Sequence, residues 1–145
     1  EPGAVRGLVP ESAEVRPVLH GKRVLVADDE DIIRETIADV LSKTGALPVM
    51  ARDGEEAVAM LQAQRFDLVL SDIKMPYKNG YEVFAAARQT SAHCPVILIT
   101  GFGYDPEHSI VRASREGLAG VLFKPFKVEQ LLDLIEKALT PTPAP

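Results

Sequence analysis

The chain has 145 residues, of which 46% are hydrophobic and 26% are charged. This is the size and composition of one ordinary folded domain, and it excludes a globally disordered chain. Acidic residues outnumber basic residues by 21 to 16, which gives a net charge of −5. Because binding to a phosphate backbone needs a basic surface, this balance argues against nucleic acid as a partner.

No segment has the features of a membrane anchor or a disulfide scaffold. The longest apolar runs, such as residues 95–99, are far shorter than the roughly 20 residues of a membrane span, so we expect no membrane contact from this segment. A single cysteine, Cys94, fits a reducing compartment. No signal-like segment follows Glu1, so we expect a cytoplasmic protein and a piece of a longer chain.

Prolines and the lack of periodicity separate both ends from the middle of the chain. Residues 1–20 are interpreted as a linker or disordered lead, and residues 140–145 as a disordered tail. The predicted domain covers residues 21–139.

Five short aliphatic runs predict β-strands. Three of them, at 24–26, 68–70 and 96–99, are apolar without alternation, which is typical of central parallel strands covered on both faces. The predicted strands are residues 23–27, 47–51, 67–71, 95–99 and 119–123.

Helical patterns follow each predicted strand. In the first, Ile33, Ile37 and Leu41 recur at helical spacing. Asp53 and Glu56 have the spacing of a capping box at the start of the second. The remaining helices are predicted at 80–89, 105–117 and 128–139. Five strand–helix repeats predict an α/β sandwich with a parallel sheet and right-handed crossovers.

Polar residues stand where four of the five strands end. Asp28 and Asp29 follow the first strand, Asp72 the third, Thr100 the fourth and Lys124 the fifth. In an open parallel sheet, ligands bind outside the carboxyl ends of the strands. Three carboxylates, a hydroxyl and an ammonium group should therefore meet at one edge of the sheet.

The chemistry of this set indicates a phosphoryl site. Clustered carboxylates are costly unless a cation shares the site, and hard oxygen ligands favour Mg²⁺ over Zn²⁺. Carboxylate, divalent metal, ammonium and hydroxyl are the groups that hold a phosphoryl group on an oxygen nucleophile. Each motif alone could be a turn, a helix cap or a solvated lysine, but their joint placement favours a site.

Four motifs in this order and spacing also resemble a signalling family. They are VLVADDE at 24–30, DLVLSDIKMP at 67–76 with NG at 79–80, PVILITG at 95–101 and FKPF at 123–126. They look like the response-regulator receiver domain of two-component signalling, and the likeness covers residues 22–139. It implies a flavodoxin-like (βα)5 fold, a three-layer sandwich around a parallel five-stranded sheet in the order 2-1-3-4-5.

The resemblance implies a role for each site residue. Asp72 would accept a phosphoryl group from a phosphohistidine with the assistance of Mg²⁺. Asp29, Asp72 and the backbone carbonyl of Lys74 would coordinate the ion directly, and Asp28 would act largely through water. Lys124 would pair with phosphoryl oxygens, and its peptide bond to the following proline would be cis.

The sequence departs from the family at the residues that would change conformation on phosphorylation. Thr100 would be the hydroxyl that moves toward the phosphoryl group. The aromatic residue that usually stands three positions before the lysine is here Val121. Either Phe102 or Phe123 substitutes for it, or the domain relays phosphate with little need of an output switch.

The implied partner is a histidine kinase or a histidine phosphotransfer domain. The signal would leave through the fourth helix and fifth strand, a face that could also form a homodimer. We expect a phosphoacceptor signalling domain and not an enzyme. With a proline-containing lead and no DNA-binding region after the last helix, we expect the C-terminal receiver of a hybrid histidine kinase; a single-domain regulator is the alternative.

The sequence is less consistent with three other functions. An aspartyl-phosphate phosphohydrolase needs a second aspartate two residues after Asp72, where Lys74 stands. A flavodoxin-like electron carrier needs a phosphate loop rich in Ser, Thr and Gly after the first strand, where this chain is acidic. A non-phosphorylated, receiver-like interaction scaffold is disfavoured by the complete polar set, although Val121 keeps it open.

Overall fold

The computed structural model describes residues 16–91, 93–101 and 116–140. Its centre is a five-stranded parallel sheet in the order 2-1-3-4-5, which confirms the expected fold class and strand order. The strands are β1 (Arg23–Ala27), β2 (Leu47–Ala51), β3 (Leu68–Asp72), β4 (Val96–Thr100) and β5 (Gly120–Phe123).

Three strands differ by one residue from the sequence prediction. β1 and β2 have the predicted bounds, and β5 differs only in beginning one residue later, at Gly120. β3 and β4 each begin and end one residue later. The last residues of these strands are therefore Asp72 and Thr100, which pair in register with Ile99 and Phe123. Both polar residues thus belong to the sheet and not to the loops that follow it.

Four helices lie in the described part of the chain. Most of the helix predicted at 105–117 lies outside the described residues. Among the described residues, no helix combines the length and the apolar character that crossing a bilayer requires. The helices are α1 (Asp31–Lys43), α2 (Gly54–Ala63), α3 (Gly80–Thr90) and α4 (Val128–Leu139).

The helices cover the sheet on both faces, which explains why the central strands lack alternation. Val24 and Val26 point into one hydrophobic cluster, formed with α1 and α4. Leu25 and Ala27 point into a second cluster, formed with α2 and α3. A strand buried on both sides gains from apolar residues at every position. The result is the expected three-layer arrangement.

Two helices begin with side-chain caps. Asp53 accepts a hydrogen bond from the backbone N–H of Glu56 at 2.8 Å, as predicted. The capping box that this spacing indicates is incomplete, because the Glu56 carboxylate accepts from the N–H of Arg52 instead of that of Asp53. A complete capping box, which the sequence analysis missed, joins Asn79 and Glu82 at the start of α3.

Part of the segment interpreted as a linker packs against the folded core. Pro17–Leu19 forms a short 3₁₀ helix, and Leu19 is completely buried in the cluster with α1 and α4. The Arg16 guanidinium donates to the side chains of Asp133 and Glu136 on α4. The contacts depend on one leucine and on ion pairs distant in sequence, so local periodicity carries no sign of them.

Candidate functional site

The carboxyl edge of the sheet collects the acidic residues that end β1 and β3. Asp28 and Asp72 are buried, and Asp29 is exposed. One carboxylate oxygen from each of the three lies within 4.8 Å of the others. Strands that run parallel bring their carboxyl ends to one edge, and this is why residues more than 40 positions apart meet here.

Lys124 reaches this cluster from the end of β5. Its backbone N–H donates to the Thr100 carbonyl at 2.8 Å and extends the ladder beyond the strand. Its Nζ atom lies 3.3 Å from Asp28 Oδ2, 3.2 Å from Asp72 Oδ2 and 3.1 Å from Glu30 Oε1. The bond between Lys124 and the next proline is cis, as the resemblance implied. Glu30 was not among the site residues predicted from the sequence.

The two oxygens of Asp72 face different partners. Oδ1 accepts a hydrogen bond from the backbone N–H of Ile73 at 2.9 Å, and Oδ2 faces Lys124. The Ser71 hydroxyl donates to the Asp72 backbone carbonyl at 2.9 Å. The carboxylate is therefore held by the backbone N–H of the residue after β3 and by Lys124 together.

Asp28 is anchored by a buried arginine that the sequence analysis missed. Arg34 Nη1 donates to the Asp28 backbone carbonyl at 2.8 Å, and Nη2 lies 2.5 Å from Asp31 Oδ1. The Asp28 carboxylate itself accepts from the N–H of Glu30 at 2.9 Å. The sequence does contain an indication that Arg34 is buried. It is a charged residue one helical turn before Ile37, on the apolar face of α1.

Burial and like charge shape the electrostatics of the cluster. Burial raises the pKa of Asp28 above its usual value. Burial and the negative charge of Asp28 raise the pKa of Asp72 from 3.8 to about 6. Burial lowers the pKa of Lys124, but the charges of Asp28 and Asp72 outweigh it and raise that pKa above its ordinary value. Two buried carboxylates thus share one ammonium group, and the site has an excess of negative charge.

The donor set fits a hard divalent cation. The three clustered carboxylates offer oxygen ligands, and this group contains no cysteine or histidine. Such a set suits Mg²⁺ or Ca²⁺ better than Zn²⁺. Lys74 stands two residues after Asp72 in the connection between β3 and α3, and its side chain is exposed. The acidic pocket could therefore bind a metal ion.

The two residues expected to act in switching lie on neighbouring strands. Thr100 is buried at the end of β4, and its hydroxyl donates to the Gly101 carbonyl at 3.1 Å. Val121 is half-buried in β5 and pairs in register with Leu98. Two aromatic residues were expected to substitute for the missing one. Phe123 is largely exposed, and Phe102 lies outside the described residues.

Comparison with known sequences identifies related proteins. The family model described as "Response regulator receiver domain" matches residues 24–136. Response regulator protein FleR of Pseudomonas aeruginosa is 35% identical over 115 residues, which are 79% of this chain and 24% of that protein. Transcriptional regulatory protein PdtaR of Mycobacterium tuberculosis is 34% identical over 121 residues, 82% of this chain and 57% of that protein. This chain thus spans only part of the length of these two relatives.

A shorter relative matches over almost its whole length. Chemotaxis protein CheY of Halobacterium salinarum is 31% identical over 119 residues, which are 82% of this chain and 98% of that protein. Among solved structures, chemotaxis protein CheY4 of Vibrio cholerae has a TM-score of 0.72 at 32% identity, covering 81% of this chain and 98% of that chain.

A second solved structure has the same architecture. The CheY-like receiver domain protein from Methanospirillum hungatei has a TM-score of 0.76 at 28% identity, and it covers 82% of this chain and 94% of that chain. The family model spans most of the sequence, and the strand order and the acidic edge agree with it. The chain therefore belongs to the response-regulator receiver domain family of two-component signalling.

Proposed function

We propose that this receiver domain is the phosphoacceptor of a phosphorelay and that Asp72 takes the phosphoryl group. The donor would be the phosphohistidine of a histidine kinase or of a histidine phosphotransfer domain, in the cytoplasm. The observation that carries the proposal is the setting of Asp72, a buried carboxylate at the end of β3 that faces Lys124 and shares its edge with Asp28 and Asp29.

The transfer needs a nucleophile, charge neutralisation and a leaving group. A carboxylate oxygen of Asp72 attacks phosphorus while the bond from phosphorus to the donor imidazole nitrogen breaks, and that nitrogen keeps the electron pair. An ionised carboxylate has no proton to lose, so the attack requires no general base from this chain. The Lys124 ammonium, which contacts Asp72 Oδ2, would stabilise the negative charge on the phosphoryl oxygens.

We assign Mg²⁺ to the acidic pocket. Asp29, Asp72 and the backbone carbonyl of Lys74 would be direct ligands, and Asp28 would act through water. When bound, the ion would supply positive charge against the oxygens of the transferred group. The carboxylate-only donor set and its excess of negative charge support this choice over Zn²⁺.

We further propose that Thr100 is the switch hydroxyl and that the signal leaves through β5 and the predicted helix at 105–117. That face is also the candidate for a homodimer. Val121 lacks an aromatic ring to follow the threonine, so the exposed Phe123, which pairs with Thr100 in register, is the candidate replacement.

Intact mass spectrometry tests the acceptor residue directly. After incubation with Mg²⁺ and acetyl phosphate, phosphoramidate or a phosphorylated histidine kinase, we expect the protein to gain one phosphoryl group. EDTA should prevent the gain, and Asp72→Asn should abolish it because the amide is a poor nucleophile.

Asp39→Asn is the matched control, since it makes the same change on the exposed face of α1. It should be phosphorylated like the wild type. Equal phosphorylation of Asp72→Asn would refute the assignment of Asp72. Failure with all three donors would favour an interaction scaffold.

A further inference from the structure

Arg34 is a charged side chain buried near the start of α1. It is 6% exposed, its Nη1 donates to the Asp28 carbonyl at 2.8 Å, and its Nη2 lies 2.5 Å from Asp31 Oδ1. A buried charge is costly to desolvate, and an apolar residue of similar volume often stabilises a fold as well as a buried ion pair does. Stability alone therefore does not explain an arginine on the apolar face of this helix.

The contacts of Arg34 span the turn that follows β1. Its backbone N–H donates to the Glu30 carbonyl at 3.0 Å, while its side chain donates to the carbonyl of Asp28. The Glu30 N–H in turn donates to Asp28 Oδ1 at 2.9 Å. Asp29 thus lies between two residues whose main chains are held by Arg34.

Asp29 depends on this turn more than the other two carboxylates of the pocket do. It is exposed, whereas Asp28 and Asp72 are buried, so the direction of its carboxylate follows from the backbone that carries it. One of its oxygens nevertheless lies within 4.8 Å of oxygens of both. Because Mg²⁺ requires nearly ideal octahedral geometry with ligands at about 2.0–2.1 Å, a small displacement of one ligand weakens its binding.

We infer that Arg34 is a positioning residue for a divalent cation in the acidic pocket: it holds the Asp28 main chain so that the Asp29 carboxylate stays in place for the ion. This inference rests on the assignment of Mg²⁺ in the proposed function. It adds to that assignment a residue that sets the affinity for the ion, although a guanidinium group has no acceptor and is not itself a ligand.

The charge of Arg34 by itself would have the opposite effect. The guanidinium group carries a positive charge beside a pocket with an excess of negative charge, so its removal would strengthen the binding of a cation if charge alone mattered. Removal of a residue that orients metal ligands instead weakens binding, typically by about 10- to 100-fold. The direction of the change in affinity therefore distinguishes positioning from charge.

Titration with Mg²⁺, followed by the NMR signals of the backbone amides, measures this affinity without any phosphoryl transfer. Arg34→Met removes the charge and both side-chain contacts but keeps a long apolar stem, and its Kd should be about tenfold higher than that of the wild type. Arg34→Lys keeps the charge but lacks the planar fork that reaches two acceptors, so its Kd should lie between those two values.

Two controls separate positioning from charge and from stability. Arg65→Met makes the same change at an exposed arginine between α2 and β3, and its Kd should stay within about twofold of the wild type. Urea unfolding in EDTA shows whether each variant is folded, and added Mg²⁺ should raise the midpoint of the wild type more than that of Arg34→Met. If Arg34→Met does not fold, Arg34→Lys decides the question.

The outcomes distinguish the inference from the proposal beneath it. If the wild type binds Mg²⁺ and the folded variants of Arg34 bind it as tightly or more tightly, positioning by Arg34 is refuted and the phosphoacceptor function stands. If the wild type accepts phosphate but binds no Mg²⁺, the assignment of the ion is wrong and the inference fails with it. If the wild type neither binds Mg²⁺ nor accepts phosphate from any donor, the proposed function fails as well.

Discussion

The site pairs two buried carboxylates, those of Asp28 and Asp72, with the single ammonium group of Lys124. The buried carboxylates raise the pKa of Lys124, and the pKa of Asp72 is raised to about 6 by burial and by Asp28. In the absence of a metal ion, ionised Asp72 therefore destabilises the fold. A receiver that needs an ionised, reactive carboxylate keeps it at a cost in stability.

This cost predicts a dependence of stability on pH. Between about pH 4 and about pH 6 the folded state binds more protons at Asp72 than the unfolded state, so the free energy of unfolding should fall as the pH rises. Asp72→Asn removes this titration and should be more stable than the wild type at pH 7, by at most about 3 kcal/mol. Urea unfolding in EDTA across this range measures the effect.

Asp39→Asn is again the control, since Asp39 is an exposed partner of Lys43. Its stability should follow that of the wild type at each pH. A difference between wild type and Asp72→Asn that stays constant from pH 4 to pH 7 would show that Asp72 has no raised pKa.

At the scale of the element, the connection from β3 to α3 is held by a close approach of two backbones. The Gly80 N–H donates to the Ile73 carbonyl at 2.8 Å. A Cβ added at Gly80 would lie 2.5 Å from the Asp72 carbonyl oxygen and 2.8 Å from Ile73 Cα. Helix α3 can therefore start against the end of β3 only with glycine at this position.

Gly80→Ala should disturb both folding and the proposed phosphoacceptor, Asp72. The added methyl group has to push the Asp72 backbone aside, so we expect a loss of about 1–3 kcal/mol in the free energy of unfolding. We also expect a slower gain of phosphate by mass spectrometry, because the carboxylate moves with its backbone.

Gly101→Ala provides the comparison, because a Cβ there finds no atom within 4 Å among the described residues. Its free energy of unfolding should stay within about 0.5 kcal/mol of the wild type. Wild-type stability and phosphorylation in Gly80→Ala would mean that the approach of the two backbones is not needed.

At the scale of the whole molecule, residues 16–20 pack against an element from the opposite end of the described chain, α4. Leu19 lies in the cluster that joins α1 to α4, and Arg16 pairs with two carboxylates of α4. These contacts place the start of the folded unit before residue 21, the boundary expected from composition.

Leu19→Ala measures the contribution of this segment. Leu19 is 0% exposed, so its truncation should cost about 2–5 kcal/mol, as for other core leucines. Leu47→Ala makes the same change at a residue of β2 that is 54% exposed, and it should cost less than about 1 kcal/mol. Equal effects in chemical denaturation would mean that residues 16–20 only rest on the surface.

Much of the fold and part of the site follow from local sequence. The sequence predicts the bounds of β1, β2 and α4 as the structure has them, because apolar runs and helical periodicity are properties of consecutive residues. The sequence also predicts that Asp28, Asp72 and Lys124 meet at one edge of the sheet, because the carboxyl ends of parallel strands lie at the same edge. The roles assigned to these residues remain predictions.

The remaining features depend on contacts between distant segments. The sequence by itself determined the parallel α/β architecture and the chemical character of the acidic edge. Only the tertiary structure decided that Arg34 is buried under Asp28, that Gly80 touches the backbone of Asp72, and that Glu30 shares Lys124. Periodicity records which face of an element is apolar, but burial and charge pairing depend on the neighbour that packs there, and only the folded chain sets that neighbour.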